Sequence, residues 1–453
     1  MDLVVCNFPP MWPWFIPAAP ALLLGAGKEL GLECDFVDIA MLEKQKVTNA
    51  AEWAKIVLNK NPKLIAFSLF SYLSQPTAKL LASEIRKVNS DVAIIIGGSG
   101  IKTSINDKDL IFVNQMLDER LINFYHDGDS DQEWPKFLIN FFNLSNELPV
   151  KYYSDFSKYK IEFYQEQAKL NNKHLWVPIN SSKGCIRKCT FCDIHQHWKF
   201  SQRDPDDTAE EIRQILKYIP NGHLNFTDSL VNGSMPAFNR LLDHLINIKK
   251  EYPDMCWTGQ FIIRNEKTAT EEYWKRIGQS GAYGLQIGVE TGSDRLRADM
   301  RKNFTNQDLH TSLLNMEKYN VTCTFLMIVG YPTETEEDFL ETVNLLRRYS
   351  HYAGNTIQLL QLGQIMTINP GTPVYEENVN NPDMILTKDI KLWFNKKNPT
   401  LTFEERIRRR DELEKLANNL NYPLSFDNHT YKEEIKFTQT KYQKVIKLIE
   451  KIN

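Results

Sequence analysis

The chain has 453 residues, of which 42% are hydrophobic and 25% are charged, and its formal net charge is -3 at pH 7. This length exceeds what one compact core normally holds and predicts two or three domains. The small net charge gives no bulk attraction to nucleic acid or to anionic membranes, and the longest apolar stretch, residues 15–27, is too short to span a bilayer.

Residues 1–143 alternate strand and helix signals. Near-continuous apolar runs separated by amphipathic segments predict a parallel sheet covered by helices on both faces. The pattern indicates an N-terminal flavodoxin-like (Rossmann-like) α/β domain, whose ligands bind at the carboxyl ends of its strands. The predicted strands are residues 3–8, 34–39, 63–70, 92–98 and 121–126. Residues 144–175 are polar and aromatic without a clear period, and we expect a linker there.

A second alternating series occupies residues 176–375. Six strand-helix units of this length predict a partial (βα)6 barrel, similar to a TIM barrel, with its active face at the carboxyl ends of the strands. The predicted strands are residues 177–182, 223–228, 256–264, 284–290, 322–330 and 356–362. Residues 376–453 are predicted to form a helical C-terminal region, which is either a cap on the barrel or a separate small domain.

The seven cysteines are too few and too unevenly spaced for a disulfide framework. The chain begins without the pattern of a signal peptide, so we expect a cytoplasmic protein in a reducing environment. In such an environment a group of cysteines indicates metal binding.

Cys185, Cys189 and Cys192 lie together just after the first predicted strand of the barrel. Three thiolates on one short loop can hold three irons of a 4Fe-4S cluster and leave the fourth iron open for a small chelating molecule. The alternative is a structural zinc site in which His195 supplies a fourth ligand, because three cysteines and one histidine form an ordinary zinc set.

With Phe191, the motif Cys-x3-Cys-x-aromatic-Cys resembles the signature of the radical S-adenosylmethionine (radical SAM) superfamily. The resemblance implies that the open iron chelates the amino and carboxylate groups of SAM. Reductive cleavage of SAM then yields methionine and a 5′-deoxyadenosyl radical that abstracts hydrogen from a substrate. It also implies an external electron donor such as a flavodoxin or ferredoxin.

Further segments of the barrel resemble this superfamily in the expected order, among them "GVETGSDRLRADMRKNFT" at 288–305 and "FLMIVGYPTETEEDF" at 325–339. By this resemblance seven residues are expected to bind SAM: Phe191, Asp228, Arg264, Glu290, Arg301, Lys302 and Gly330. A helix N-cap is the alternative role for Asp228. Cations at a helix end are the alternative for the basic pair at 301 and 302.

The first domain resembles the cobalamin-binding domain found in one class of this superfamily. The resemblance implies that Ser68, Gly97 and Gly98 lie around the nucleotide tail of the corrinoid. The Asp-x-His-x-x-Gly motif, whose histidine ligates cobalt in some corrinoid proteins, is absent from the sequence. A degenerate domain kept as a scaffold is therefore the alternative.

These resemblances together predict a cobalamin-dependent radical SAM enzyme, a methyltransferase that methylates an unactivated carbon. One alternative is a radical SAM enzyme that performs cyclisation, rearrangement or oxidation, with or without cobalamin. A zinc-stabilised binding protein without catalysis is an alternative of another class. A methylthiotransferase is disfavoured, because those enzymes carry a second cluster on three N-terminal cysteines, and here only Cys6 and Cys34 precede the motif.

Overall fold

The computed structural model describes residues 1–10, 12, 14–102, 110–128, 130–145, 151–194, 198–363, 365–425, 432–433, 435–440 and 443. The chain divides into two compact units: residues 1–178 with 210–223, and residues 179–209 with 224–453. Across the described ranges, none of the helices has the length and apolar character needed to cross a membrane.

The first unit is built on a five-stranded parallel sheet. Its strands are β1 (Leu3–Asn7), β2 (Cys34–Asp38), β3 (Leu64–Ser68), β4 (Ala93–Gly97) and β5 (Phe124–His126). They are arranged in the order β2-β1-β3-β4-β5, and each neighbouring pair is parallel. This strand order confirms the predicted flavodoxin-like topology.

In the described part of residues 1–170, seven α-helices accompany this sheet, and buried residues recur on them at helical spacing. The fourth buries Ala78, Leu81, Ala82 and Ile85, a spacing of three and four residues that places one apolar stripe on the core. The helices are α1 (Ala18–Glu29), α2 (Ile39–Lys44), α3 (Ala50–Leu58), α4 (Gln75–Val88), α5 (Ile111–Asp118), α6 (Ser130–Phe142) and α7 (Ile161–Leu170).

The segment predicted as a linker, 144–175, is a packed part of the first unit from residue 151 onward. It contains α7, and both Tyr159 and Tyr164 are buried. The Tyr159 hydroxyl donates to the Pro17 carbonyl at 2.7 Å, and the Tyr164 hydroxyl donates to the Asp38 carboxylate. Isolated aromatic anchors thus hold this segment in place without a regular apolar period.

A second sheet has six strands in chain order. They are β6 (Trp176–Ile179), β9 (His223–Phe226), β10 (Cys256–Phe261), β11 (Leu285–Glu290), β12 (Cys323–Met327) and β13 (Ile357–Gln361), and the three pairs from β10 to β13 are parallel. Two short antiparallel pairs lie outside this sheet: β7 (Ser182–Lys183) with β8 (Ser201–Gln202), and β14 (Met384–Leu386) with β15 (Trp393–Asn395). Six sequential strands agree with the predicted partial barrel.

Helices follow the strands of this second sheet. Two of them begin with a reciprocal capping box, in which Thr305 pairs with Asp308 and Thr335 pairs with Asp338, so both starts are specified by local sequence. The helices are α8 (Pro205–Tyr218), α9 (Met235–Glu251), α10 (Glu271–Gln279), α11 (Asp294–Asp299), α12 (Asn306–Lys318), α13 (Glu336–Arg348), α14 (Pro373–Asn378) and α15 (Phe403–Asn419).

The described part of the C-terminal region belongs to the second compact unit and is not a separate domain. Trp393 and Leu401 are buried in one apolar cluster with Tyr331, which follows β12. Arg406 and Arg409, on α15, are at most 2% exposed. The sequence of α15 is strongly charged, yet these arginines are buried in the protein. Each buried guanidinium needs a hydrogen-bond or ion-pair partner there.

Candidate active site

The three cysteines of the motif lie on the loop between β7 and β8, after the first strand of the barrel. Ser181 and Ser182, at the start of this loop, both donate hydroxyl hydrogen bonds of 2.6 Å to Asp228, which follows β9. Gly184 has a φ of 70°, and a Cβ there would come within 2.7 Å of the Trp198 carbonyl. The loop entry is thus fixed by a buried carboxylate and by a position that requires glycine.

The three thiols lie within electrostatic reach of one another. Burial raises the pKa of Cys189 to about 11, Lys302 opposes that rise, and Cys192, Glu290 and Cys185 reinforce it. Burial also raises the pKa of Cys192. The amide of Arg187 donates to the sulfur of Cys185 at 3.4 Å. Mutually close thiols, an amide donor to sulfur and a nearby ammonium fit the needs of an anionic iron–sulfur cluster.

Within the described ranges, no three His, Cys, Asp or Glu side chains converge closely enough to hold one metal ion. A four-iron cluster does not require such convergence, because each thiolate binds a different iron. His195, the fourth ligand of the zinc alternative, lies outside the described residues.

Glu290 and Lys302 form an ion pair of 2.8 Å beside the cysteine loop, and both side chains are nearly buried. Glu290 ends β11 with a φ of 65°, a left-handed conformation that is unusual for a side chain of this kind. The Lys302 ammonium lies 5.9 Å from the centre of the Phe191 ring. A Cβ on Gly288 would come within 2.2 Å of the Glu290 carboxylate and 2.6 Å of the Lys302 ammonium, so the glycine leaves space for this ion pair in its present position.

Arg301 does not join this group. Its guanidinium pairs with Glu377, and both side chains are about half exposed. Of the two neighbouring cations predicted to bind SAM, the structure therefore brings Lys302 to the cysteine loop and leaves Arg301 in a surface pair. Gly288 is a site residue that the sequence analysis missed.

Asp228 and Arg264 are both engaged by protein groups. Asp228 is 1% exposed and accepts from the amide and hydroxyl of Ser181 and from the hydroxyl of Ser182. Burial raises the pKa of Asp228, although these serine donors oppose the rise. Arg264 donates to the carbonyls of Asn232 and Gly233. Both residues shape the carboxyl edge of the barrel, and Asp228 does so by holding the loop rather than as an N-cap.

Arg264 also lies near the cysteine loop. Its pKa is lowered mainly by burial, with a further contribution from the positive charge of Arg187. Its Nε atom is buried without a hydrogen-bond partner in the described part of the chain. A buried donor of this kind is available to an anionic or carbonyl group of a ligand.

Gly330 lies in the turn after β12 with a φ of 79°. Its amide donates to Glu334 at 2.5 Å, and a Cβ there would meet the side chain of Arg406 at 2.5 Å. The C-terminal helix α15 therefore packs directly against the turn that was predicted to bind SAM.

In the first unit, Ser68, Gly97 and Gly98 lie at the carboxyl edge of the sheet, where β3 and β4 end. Gly98 has a φ of 98°, and a Cβ there would come within 2.4 Å of the Leu69 carbonyl. Residue 98 must consequently be glycine for the packing of the protein itself. A Cβ on Gly97 would make ordinary van der Waals contacts with His126, at 3.4 and 3.6 Å, so the packing of the protein does not require glycine at this position.

His126 is a candidate that the sequence analysis did not identify. It ends β5 directly opposite Gly97, and its Nε2 atom is buried without a hydrogen-bond partner in the described part of the chain. A separate cavity of about 220 Å³ opens near the ends of β1 and β2, lined by Pro9, Trp12 and Tyr164 among others. The carboxyl edge therefore places a buried imidazole nitrogen without a partner beside a glycine that the described packing does not require.

Residues 179–346 match the profile of the Radical SAM superfamily. A tRNA-2-methylthio-N(6)-dimethylallyladenosine synthase of Thermotoga petrophila is 27% identical over 187 residues, which are 39% of this chain and 40% of that protein. The corresponding synthase of Mycobacterium avium is 26% identical over 228 residues, or 47% of this chain and 30% of that protein. The chain thus spans less than half the length of these relatives.

Two solved structures have the same fold over most of the chain. The radical SAM methyltransferase TsrM of Kitasatospora setae, with cobalamin and a [4Fe-4S] cluster bound, gives a TM-score of 0.60 at 14% identity and covers 86% of this chain and 82% of that one. The cobalamin-dependent SAM radical enzyme OxsB, with aqua-cobalamin bound, gives 0.57 at 15% identity and covers 84% of this chain and 55% of that one. Residues 179–346 therefore form a Radical SAM domain that carries the cysteine loop, and the chain shares the fold of these two solved enzymes over most of its length.

Proposed function

We propose that the chain is a cobalamin-dependent radical SAM enzyme that methylates an unactivated carbon. The observation that carries the proposal is the cysteine loop, whose three thiols can hold all but one corner of a four-iron cluster. When bound, such a cluster supplies the electron that cleaves SAM at its open iron. Cys185, Cys189 and Cys192 are the proposed ligands.

The residues around the loop have distinct proposed roles. Lys302 offsets the negative charge of the cluster and holds the carboxylate of Glu290, which faces the SAM site. Phe191 covers one side of the loop, and Arg264 directs a buried donor toward the bound molecule. Gly330 gives the turn after β12 the close backbone approach that a flat ring requires. Asp228 acts through Ser181 and Ser182, and Arg301 lies outside the SAM site.

Cobalamin is supported by the first unit. Its strand order is that of a ligand-binding doubly wound sheet, and the two solved structures that share the fold have cobalamin bound. When bound, a corrinoid supplies a carrier for the methyl group. We propose that Ser68, Gly97 and His126, at the carboxyl edge of the sheet, contact the corrinoid. Gly98 instead allows the loops after β3 and β4 to pack against each other.

The curated relatives raise a second candidate, methylthio transfer to RNA. By the resemblance described above, such enzymes need a second cluster on three N-terminal cysteines. Here the two cysteines that precede the motif, Cys6 and Cys34, are both buried, and burial raises the pKa of both thiols, that of Cys34 to about 12. Two cysteines are one fewer than such a cluster needs, so this candidate is disfavoured.

We expect transfer of the SAM methyl group to substrate. With SAM labelled in its methyl group, an anaerobic, reduced preparation should place the label in the product and also form 5′-deoxyadenosine. The measurement is mass spectrometry of products from a lysate fraction or a candidate library, together with the corrinoid stoichiometry, expected near one. Deoxyadenosine formation without label transfer would instead support a cyclase, a rearrangement or an oxidation.

Gly97→Leu is expected to reduce corrinoid retention at least about tenfold, since a clash of more than about 1.4 kcal/mol changes an affinity by that factor. A Cβ at this position makes only ordinary van der Waals contact with His126, so we expect the unfolding temperature to change little. Ala93→Leu, at the opposite edge of β4 and also partly exposed, is the matched control. Unchanged corrinoid content in Gly97→Leu would remove this glycine from the proposed site.

A further inference from the structure

Thr190 attaches the middle of the cysteine loop to the rest of its unit. It lies between Cys189 and Cys192 and is 2% exposed, whereas all three cysteines are only partly buried. Its amide donates to the Met300 carbonyl at 3.2 Å, and its carbonyl accepts from the Val374 amide at 2.8 Å. The loop is therefore tied through its backbone to two separate segments.

A third contact to Thr190 comes from a side chain. Its hydroxyl forms a 2.7 Å hydrogen bond with the hydroxyl of Tyr331, which is 5% exposed. Burial raises the pKa of Tyr331, with the Thr190 hydroxyl opposing the rise, so the phenol stays protonated at neutral pH. A hydrogen bond between two buried hydroxyls fixes the position of both, because neither can turn to water instead.

The backbone of Tyr331 is also held in place. The amides of Gly330 and Tyr331 donate to one oxygen of Glu334, at 2.5 and 3.2 Å. The other oxygen of Glu334 pairs with Arg409 at 3.0 Å, and these two side chains are 5% and 2% exposed. Arg409 also donates to the Thr335 carbonyl at 3.1 Å. A buried carboxylate thus joins the C-terminal helix α15 to the backbone of the turn that carries Tyr331.

We propose that Tyr331 is a positioning residue for the iron–sulfur cluster, and that Glu334 and Arg409 hold it in place. The contacts run from α15 through Glu334 and Tyr331 to Thr190, one residue from Cys189. This inference rests on the proposed assignment of the three cysteines to the cluster. It does not depend on cobalamin, on methyl transfer or on the substrate.

The hydroxyl of Tyr331, rather than its ring, carries the proposed function. The ring packs in an apolar cluster with Leu296, Met300 and Trp393, and phenylalanine would keep that packing. Removal of the Tyr331 hydroxyl leaves the Thr190 hydroxyl buried without this partner. The loop between the cluster ligands Cys189 and Cys192 then loses one of its attachments. The expected consequence is a cluster that is held less tightly and whose surroundings are altered, in a protein that remains folded.

The test uses the anaerobically reconstituted full chain carrying Tyr331→Phe. Iron loss to an excess chelator should accelerate about 2- to 10-fold, the range expected from one buried hydrogen bond. The EPR spectrum of the reduced cluster and its midpoint potential should both shift, while the unfolding temperature stays close to that of the wild type. Tyr375→Phe is the matched control, because Tyr375 packs against the same apolar cluster.

Two further variants separate positioning from packing. Thr190→Val should reproduce the effects of Tyr331→Phe, Thr190→Ser should restore wild-type iron loss, and the double variant Thr190→Val with Tyr331→Phe should be no worse than either single change. Arg409→Met should alter the EPR spectrum in the same direction, whereas Arg408→Met, which changes a half-exposed neighbour, should not.

The outcomes distinguish the two proposals. If the wild type shows a four-iron signal and Tyr331→Phe matches it in spectrum, potential and iron loss, the positioning role is overturned and the cluster assignment stands. If the wild type itself assembles no four-iron cluster, the cluster assignment fails and this inference fails with it. Additive effects in the double variant would also contradict the proposed hydroxyl contact.

Discussion

Replacement of Cys189 by alanine is expected to abolish reductive cleavage of SAM, with a loss of at least about 1,000-fold, as is typical when an essential catalytic group is removed. With one thiolate lost, two ligands remain for a cluster that already lacks protein ligation at its fourth iron. The measurement is the formation of methionine and 5′-deoxyadenosine under dithionite, together with iron and sulfide content.

Cys256→Ala is the matched control for this experiment. Cys256 is also partly exposed, but it begins β10, at the edge of the sheet opposite to the carboxyl ends of the strands. Its replacement should leave SAM cleavage and iron content at the wild-type level. Undiminished cleavage by the Cys189→Ala protein would refute the assignment of the cysteine loop, and with it the proposed enzyme function.

Lys302→Met is expected to lower the free energy of unfolding by about 3 kcal/mol, because it leaves the nearly buried carboxylate of Glu290 without its counter-charge. Methionine keeps an aliphatic side chain against Phe191, so lost packing contributes little. Arg301→Met removes a neighbouring cation from a half-exposed pair and should cost less than about 1 kcal/mol. Urea unfolding of the full-length protein measures both changes.

The same variant should also change the redox behaviour of the cluster. A positive charge near Cys189 favours the reduced, more negative state, so Lys302→Met is expected to lower the midpoint potential. Adding Glu290→Gln to Lys302→Met should recover much of the lost stability, because the buried charge is then gone. The lower potential should partly persist in that double variant. Equal stability losses for Lys302→Met and Arg301→Met would contradict the inward orientation of Lys302.

Neighbouring cations at 301 and 302 illustrate why sequence reasoning alone left the site incomplete. Both follow a helix and both match the family pattern, so the sequence does not distinguish them. In the structure, Arg301 has a φ of 58°, which reverses the chain direction after α11 and sends the two side chains to different partners. Backbone conformation after the helix end therefore decides which of the two cations reaches the cysteine loop.

Asp228 shows a different limit. Its place after the second strand of the barrel was predicted correctly, but its carboxylate is occupied by serines from the start of the cysteine loop. Such contacts join residues that are 47 and 46 positions apart, and local patterns carry no information about them. The Glu334–Arg409 pair joins residues 75 positions apart, so local sequence patterns could not predict it either.

By itself, the sequence determined the two parallel α/β sheets, the order of their strands along the chain and the loop that carries Cys185, Cys189 and Cys192. These features depend on short-range signals, namely apolar runs, capping residues and ligand spacing, which act within one element or between neighbours. Only the tertiary structure decided that residues 151–175 pack as part of the first unit, that Lys302 rather than Arg301 faces the cysteines, and that α15 buries its arginines beneath the turn of Gly330. Burial and charge pairing across long separations arise only when distant segments meet, because desolvation of a charge depends on every residue around it and not on its neighbours in sequence.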